Sequence, residues 1–512
     1  MANGTYVLEI DWNADGDWGD TAENVTANTL ECVWSRGRDY ASQLSGRATA
    51  GKLSARLDNS TGIYSSFNTS SSLTGNLLPG RKVRLRSTAP SAKNLWTGFL
   101  DTIEPVTSLT GAHNVVIRAS GPLARINRTR VRIAMETSTA TGAIVTAILN
   151  ATKWPVGDRT IDTGLTTIER FFSGGPFSSG ERPALHTLRL VEETEFGYVG
   201  EAPDGKIVFE DRHHRLTQTT SKTSQATYTD ASGGTLVFSK IQQSDPLREI
   251  YNRIECEVRH YVTGSVAVLW TLSETGSDSP SIEPGDTQVF IARFPNPVSA
   301  TNAVGVNAWT TPASTTDYTA NAAADGSGTN MTSDIGVAQV KYDESMKITL
   351  TNNGAVSAYI TKLQARGTPV TLSDPIRVQA EDATSQTAFD VRTWPNPGQF
   401  LPSSSEAQDY CDFVLSTFKD PTPTVKVLIH ANRNNAHLTE VMTRDVSERV
   451  TITANNDADL GINEDFFVES MTHRLDNQLN HTTIYECSSV ADFSGGWVLN
   501  TSKLGADAKL MY

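Results

Sequence analysis

Alternation of apolar and polar positions dominates the chain. Leu-Ser-Ala-Arg-Leu at 53–57 and Lys-Val-Arg-Leu-Arg at 82–86 put every second side chain on one face, as in strands with one buried side. Thr5 to Ile10 is a further short strand, followed by an Asp15-Gly16 turn signal. Residues 96–105 and 113–120 form a hairpin around Thr110-Gly111. Between 125 and 234 the period changes: Ile144, Val145, Ile148 and Leu149 share a helical face, with Thr141 as N-cap and Pro155 as stop. A second helix follows Pro183 with Leu185, Leu188 and Val191 inward, and Pro203-Asp204-Gly205 turns a hairpin at 196–212.

Alternation returns at 252–261, where Ile254, Cys256 and Val258 share a face. Residues 275–368 are rich in small and polar residues and read as an inserted β-sandwich, with Asn353-Gly354 turning between its last two strands. Ser403 and Glu406 then make a capping box for a helix carrying Tyr410, Phe413, Val414 and Phe418. Strands follow at 424–432, 448–454, 465–475 and 481–490.

Two parts of the chain echo each other. Phe99-Leu100-Asp101-Thr102-Ile103 aligns with Phe467-Val468-Glu469-Ser470-Met471 at an offset of 368, and the same offset lays His113–Ile117 over His481–Tyr485. Arg81–Leu85 matches Glu448–Ile452 at 367, and 54–59 resembles 427–432 at 373. The expected fold is therefore mainly β: a tube-like β-barrel at 1–124, an α+β domain at 125–234, a second, split tube-like barrel at 235–274 and 369–495, the inserted β-sandwich at 275–368, and a tail at 496–512. In a closed homotrimer, two similar barrels per chain place six similar units around the axis, able to stack on a six-fold ring.

A net charge of −14 repels phosphate, which disfavours sequence-reading nucleic-acid binding and suits a channel that passes DNA without gripping it. No apolar run approaches the roughly 18 residues that cross a bilayer. The start shows no signal-peptide pattern, so synthesis in a cytoplasm is expected. Cys32, Cys256, Cys411 and Cys487 form no cluster with each other or with histidines, and are expected as reduced core residues.

Trp34–Asp39, the segment 46–86 and Gly98–Pro105 resemble the N-terminal region of long-tailed bacteriophage minor tail proteins, which in turn resemble the baseplate or tail-tip hub family. Residues 190–215 and 462–475 are similar to middle and late parts of such hubs. The resemblance implies a virion protein of the tail tip, assembled in the host cytoplasm. It implies a homotrimeric ring that closes the tail tube beneath the distal tail protein, meets the tape-measure protein and tail fibre or spike proteins, and opens for DNA ejection, with no membrane insertion by this chain. Thr61 and Ser66 depart from the acidic residue and proline expected there.

Candidate chemistry is sparse. Asp11, Asn13, Asp15 and Asp17, with Gly16 at the sixth position, resemble the start of a calcium loop. Ala22 stands where the bidentate glutamate belongs, with Glu23 one step on, so the alternative is an acidic turn with no cofactor. His213 and His214 are adjacent on a strand and expected on the surface. Glu192, Glu193 and Glu195 are expected as exposed acids at a helix end rather than a glycosidase pair. No GxSxG, HExxH or P-loop motif is present, and no enzymatic role is expected. Arg128, Arg130 and Arg132, read as a strand with arginines on both faces, are expected at a subunit contact, or against DNA or the tape-measure protein. Two rival readings remain: a receptor- or carbohydrate-binding tail fibre or adhesin, for which Trp309 and Tyr318 are the large aromatics of the sandwich, and a tail-associated cell-wall hydrolase.

Overall fold

The computed structural model describes residues 2–20, 22–38, 47–108, 111, 113–173, 181–245, 247–294, 303–396 and 400–490, with the short strands Gly496–Trp497 and Lys509–Leu510. Most of the 496–512 tail, Asp39 and the Thr110 side of the expected hairpin turn lie outside the described residues.

The fold is mainly β. Its centre is one twelve-stranded sheet. Six strands come from the N-terminal part: β1 (Thr5–Ile10), β2 (Thr29–Gly37), β3 (Lys52–Asp58), β4 (Lys82–Ala89), β5 (Lys93–Val106) and β6 (Asn114–Ser120). Six come from later: β7 (Thr227–Thr229), β8 (Lys240–Ser244), β9 (Thr424–His430), β10 (Arg449–Ala454), β11 (Ile462–Asp476) and β12 (His481–Ser489). Alternation sets which side is buried: Leu53, Ala55 and Leu57 in β3, Val425, Val427 and Ile429 in β9, all inside one shared core.

The neighbour order is β2-β3-β6-β5-β4-β1 in the first unit and β8-β9-β12-β11-β10-β7 in the second, so each strand of one has its counterpart in the other in the same chain order. One orientation differs: β1 runs antiparallel to β4, β7 parallel to β10. The hairpins match residue for residue: Phe99 faces Ser120 and Phe467 faces Ser488, Ile103 faces Ile117 and Met471 faces Tyr485. Lys82 faces Phe99 as Arg449 faces Phe467, keeping the offset of 367 for that strand. β3 and β9 correspond at 372, not 373, because Leu53 faces Ala119 as Val425 faces Cys487; a one-residue slip would turn every buried side chain outward. The two expected barrels are thus two repeats joined in one curved sheet, and no barrel closes among the described residues.

Three smaller cores surround the sheet. The α+β unit packs α1 (Pro122–Arg128), α2 (Thr141–Ala151) and α3 (Ala184–Glu195) around Ile144, Ile148, Phe171, Leu188 and Phe209. The sandwich sets a six-stranded sheet against a three-stranded one. Its strands run from Tyr261 to Leu372, wider than the expected 275–368. The strand Arg253–Val258, grouped by sequence with the second barrel, pairs with Ile376–Glu381 and packs under α4 (Ser404–Phe418) as a core of its own. Ser403 caps α4 by accepting the Glu406 amide at 3.1 Å. Among the described residues no helix is long and apolar enough to cross a membrane.

Candidate assembly interface

The two repeats meet edge to edge. β2 lies antiparallel to the second half of β11, Glu31 opposite Asp476 through Gly37 opposite Ser470. Strand edges offer unpaired N–H and C=O groups, and pairing them is what makes the joint continuous. Gly37 sits at the tightest point: its φ is +124°, and a Cβ there would lie 2.3 Å from the Glu469 carbonyl oxygen. Trp34 stacks on His473 with centroids 4.9 Å apart. His473 Nδ1 lies 3.0 Å from His481 Nε2, and His481 Nδ1 lies 2.7 Å from the Tyr6 hydroxyl, so the sheet curls until β1 touches the second repeat. Burial drives both imidazoles below their ordinary pKa, His481 down to about 3.

Beside the joint, Glu469 is buried between two guanidiniums. Arg215 donates to its two oxygens at 2.8 and 2.9 Å, Arg38 pairs with it bidentately, and the Ser488 hydroxyl donates to it as well. Burial opposes the charge, but Arg215 and Arg38 outweigh it and hold Glu469 well below the usual carboxylate range. Arg36, also buried, bonds Asp445 at 2.9 Å and the Glu201 carbonyl at 3.1 Å, tying the joint to the α+β unit.

The equivalent joint on the other side of the repeat is unmade. β8, the counterpart of β2, ends the sheet, and all its residues but Ile241 are exposed. In β5, the counterpart of β11, Thr102–Val106 pairs with β6 on one edge only, among the described residues. Transferring the register of the made joint sets Gln242 opposite Val106, as Val33 is opposite Arg474, and Ser244 opposite Glu104, as Ser35 is opposite Thr472. No single chain brings β8 and that half of β5 together in the sheet order.

The residues singled out in the sequence are placed as follows. Arg128 ends a helix rather than lying in a strand, because Leu123 and Ile126 are buried at helical spacing. It pairs with Asp101 at 3.2 Å and stays exposed; Arg130 bonds the Glu181 carbonyl, and Arg132 turns inward to Ser345 of the sandwich at 2.6 Å. His214 is half-buried and held in place: Asp162 lies 2.7 Å from its Nδ1 and Glu210 3.5 Å from Nε2. Burial works against its charge, but these carboxylates raise its pKa overall. The helix-end acids are not exposed either. Glu195 accepts the Thr141 hydroxyl at 2.6 Å and the Thr166 amide at 2.9 Å, Glu192 takes Arg189 and the Val199 amide, and Glu193 pairs with Arg47. Acids engaged in this way hold the α+β unit together. Trp309 and Tyr318 are buried in the sandwich core. All four cysteines are buried, with the Cys256 and Cys411 sulfurs 3.1 Å apart. Asp11 and Asp15 converge with Glu23, Asp17 falls with Asp15 and Asp20, and Asn13 bonds Asp15 and Asp20.

No family model and no curated protein matches the chain. Among solved structures, a tail protein from Neisseria meningitidis MC58 superposes with a TM-score of 0.50 at 7% identity, over 95% of this chain and 97% of that one. The chain has the fold of a tail protein. The 43 kDa tail protein of prophage MuSo2 from Shewanella oneidensis gives 0.49 at 9% identity, over 94% of this chain and 98% of that one. The prophage tail protein gp18 from Listeria monocytogenes gives 0.42 at 9%, over 94% of each chain. The resemblance drawn from the sequence thus holds at the level of fold.

The residues that build the joint escaped the sequence reading. Trp34, His473 and Gly37 all lie within segments compared with tail hubs or counted in the repeat, yet nothing in the alternation says that two strands over 400 residues apart are neighbours. The signal that finds them is the repeat itself, once strand order is known.

Proposed function

We propose that the chain is a non-enzymatic hub of a phage tail tip, a homotrimer in which β8 of each copy pairs with the free half of β5 in the next. The observation that carries this is the repeat with one joint made and its equivalent left open. Three copies then supply six units, each joined to the next through the same register, three joints within chains and three between them. A ring closed in this way leaves no free strand edge at these positions. Arg128, paired with Asp101 on the open side, and Arg130 face acids of the neighbouring copy. The ring closes the tail tube, stacks on the distal tail protein, meets the tape-measure protein above and fibre or spike proteins below, and opens for DNA ejection. A net charge of −14 suits a lumen through which DNA moves without being held. The protein is made in the host cytoplasm and ends in the virion.

The test is a double variant, Val106→Cys with Gln242→Cys. Facing residues in an antiparallel pair have Cα atoms about 4.5–5.5 Å apart, within disulfide range, and the four native cysteines are buried. Mild oxidation should give a covalent species of three times 55.4 kDa on a denaturing gel, while either single variant gives none. A trimer by light scattering that never cross-links would refute the strand pairing, and a chain that stays monomeric with and without its neighbouring tail proteins would refute the ring.

A further inference from the structure

The loop after β1 holds two buried carboxylates, Asp11 and Glu23, that form no ion pair with Lys or Arg among the described residues. Its base is pinned to the sheet: the Ile10 amide donates to the Glu23 carbonyl at 2.9 Å, and the Asp11 amide to the Lys82 carbonyl at 3.0 Å. Asp11 and Glu23 therefore start and finish the loop side by side, exposed by only 4% and 1%. One oxygen of each is used inside the loop: Asp11 Oδ2 accepts the Gly16 amide at 3.2 Å, and Glu23 Oε2 accepts the Asp20 amide at 3.0 Å. The other two, Asp11 Oδ1 and Glu23 Oε1, are buried and have no hydrogen-bond partner among the described residues. A buried carboxylate oxygen left without donor or counter-charge is unfavourable. The arginines nearby are engaged elsewhere, Arg84 and Arg86 both on Glu9.

We propose that this loop is a calcium site in which Asp11, Asp15 and Glu23 supply the carboxylate ligands, with Asn13 completing the near side. One ligand oxygen from each of the three acids lies within 4.8 Å of the others. An irregular set of carboxylates from one loop suits calcium, whose coordination is flexible, better than magnesium, which demands near-ideal octahedral geometry. An all-oxygen donor set with no sulfur or imidazole also selects a hard cation. The glutamate that standard spacing places at Ala22 is supplied by Glu23, because Ala22 takes a left-handed φ of +70° and absorbs the extra residue, turning the next side chain inward. The three acids at Asp15, Asp17 and Asp20 lie exposed on the outer side and add negative potential.

Binding would fasten more than the loop. Trp12 is buried beneath it, its indole N–H donates to the Ala22 carbonyl at 3.1 Å, and its ring lies 6.2 Å from Tyr64. An ion gripping both ends of the loop holds this cover over the N-terminal repeat's core.

The test uses the full chain, stripped with chelator and desalted. Calorimetric titration with Ca2+ should show one site, the melting temperature should rise on adding Ca2+, and Mg2+ at equal concentration should raise it less. Tb3+ should give luminescence sensitised by Trp12 and be displaced by Ca2+. Glu23→Gln should weaken binding by at least about tenfold, comparable with or exceeding the loss usual for outer-shell changes. Asp15→Asn, at an exposed position that leaves folding intact, should weaken it in the same direction. Absence of heat, melting shift and luminescence in the wild type would overturn the site, as would Ca2+ affinity unchanged in folded Asp15→Asn and Glu23→Gln.

Discussion

Asp101 and Glu469 occupy the same position in two copies of one hairpin. Each is the bulged residue of its strand, between Leu100 and Thr102 or between Val468 and Ser470, and each carboxylate accepts the hydroxyl of the serine 19 residues on, Ser120 or Ser488. A bulge re-aims one side chain and is a designed feature of a sheet. That two sites share bulge, register and hydrogen bond makes the repeat structural rather than a coincidence of composition. Their surroundings differ with the state of the joint: Glu469, at the made joint, is 1% exposed and held by two arginines, whereas Asp101, at the open one, pairs with Arg128 alone among the described residues and is 25% exposed at its side chain.

That contrast predicts unequal mutants. Glu469→Gln leaves Arg38 and Arg215 buried without their counter-charge, and breaking such a cluster from one side costs about 3–5 kcal/mol. Asp101→Asn removes a partly exposed pair and should cost under about 1 kcal/mol in the isolated chain. Urea denaturation of the two variants checks this; equal losses would mean that the made joint contributes nothing special.

Gly37→Ala tests the joint's geometry. The added Cβ meets the Glu469 carbonyl and Ser470 Cα within 2.4 Å, at a φ that L residues rarely adopt. The loss should exceed about 2 kcal/mol. Gly157→Ala, where a Cβ meets nothing within 4 Å, should stay within about 0.5 kcal/mol by the same denaturation.

Two buried groups give opposite pH slopes. His481 titrates near 6.5 when unfolded and about 3 when folded, so the unfolded chain takes up the proton first. Stability is complete above pH 6.5 and declines toward pH 3, by on the order of 5 kcal/mol. Glu201 is pushed up by burial to about 7, although the Leu123 and Gly51 amides donate to it. Its contribution is complete below about pH 4.5 and declines as pH rises to 7, by about 3 kcal/mol. The slopes partly cancel in the wild type. Melting curves across pH should therefore show a steeper acid loss in Glu201→Gln and a steeper loss toward neutrality in His481→Gln. Variants that track the wild type would show that neither group is buried in the ionisation state described.

The strands and the repeat were legible because one-sided burial writes itself as alternation, and because hairpins of the same register keep the same spacing. What alternation does not record is the neighbour. It set Leu53, Ala55 and Leu57 on one face without showing that β2 and β11 share an edge. Local turn chemistry misled once: Asn353-Gly354 does not close a hairpin, since Ser345–Asn352 and Ala358–Leu372 lie in different sheets and Asn352 instead bonds Ile282 and Val356 across the gap. Charge misled more often. Glu192 and Glu195 read as surface residues because burial of an acid depends on partners that the pattern does not show, here Val199 and Thr166. In the proposed calcium loop, the left-handed φ of Ala22 is a backbone feature that ligand spacing does not record.

The turns before β4 and β10 give the last test. Gly80 and Ser447 both adopt left-handed φ, +84° and +67°, and both amides donate across the sheet, to Leu100 and Val468. Glycine relieves this conformation by about 1 kcal/mol, so Ser447→Gly gains on the backbone. It also loses the hydroxyl that donates at 2.5 Å to the buried Glu210 carboxylate, a bond to a charged group worth roughly 1.5–3 kcal/mol. The hydroxyl outweighs the strain, and Ser447→Gly should be destabilised by about 1 kcal/mol net. At Gly80 a Cβ meets nothing within 4 Å, so Gly80→Ser pays only the backbone term and should lose about 1 kcal/mol. A stabilised Ser447→Gly in urea would show that Glu210 has no need of that serine, and that the two turns differ only by descent from one hairpin.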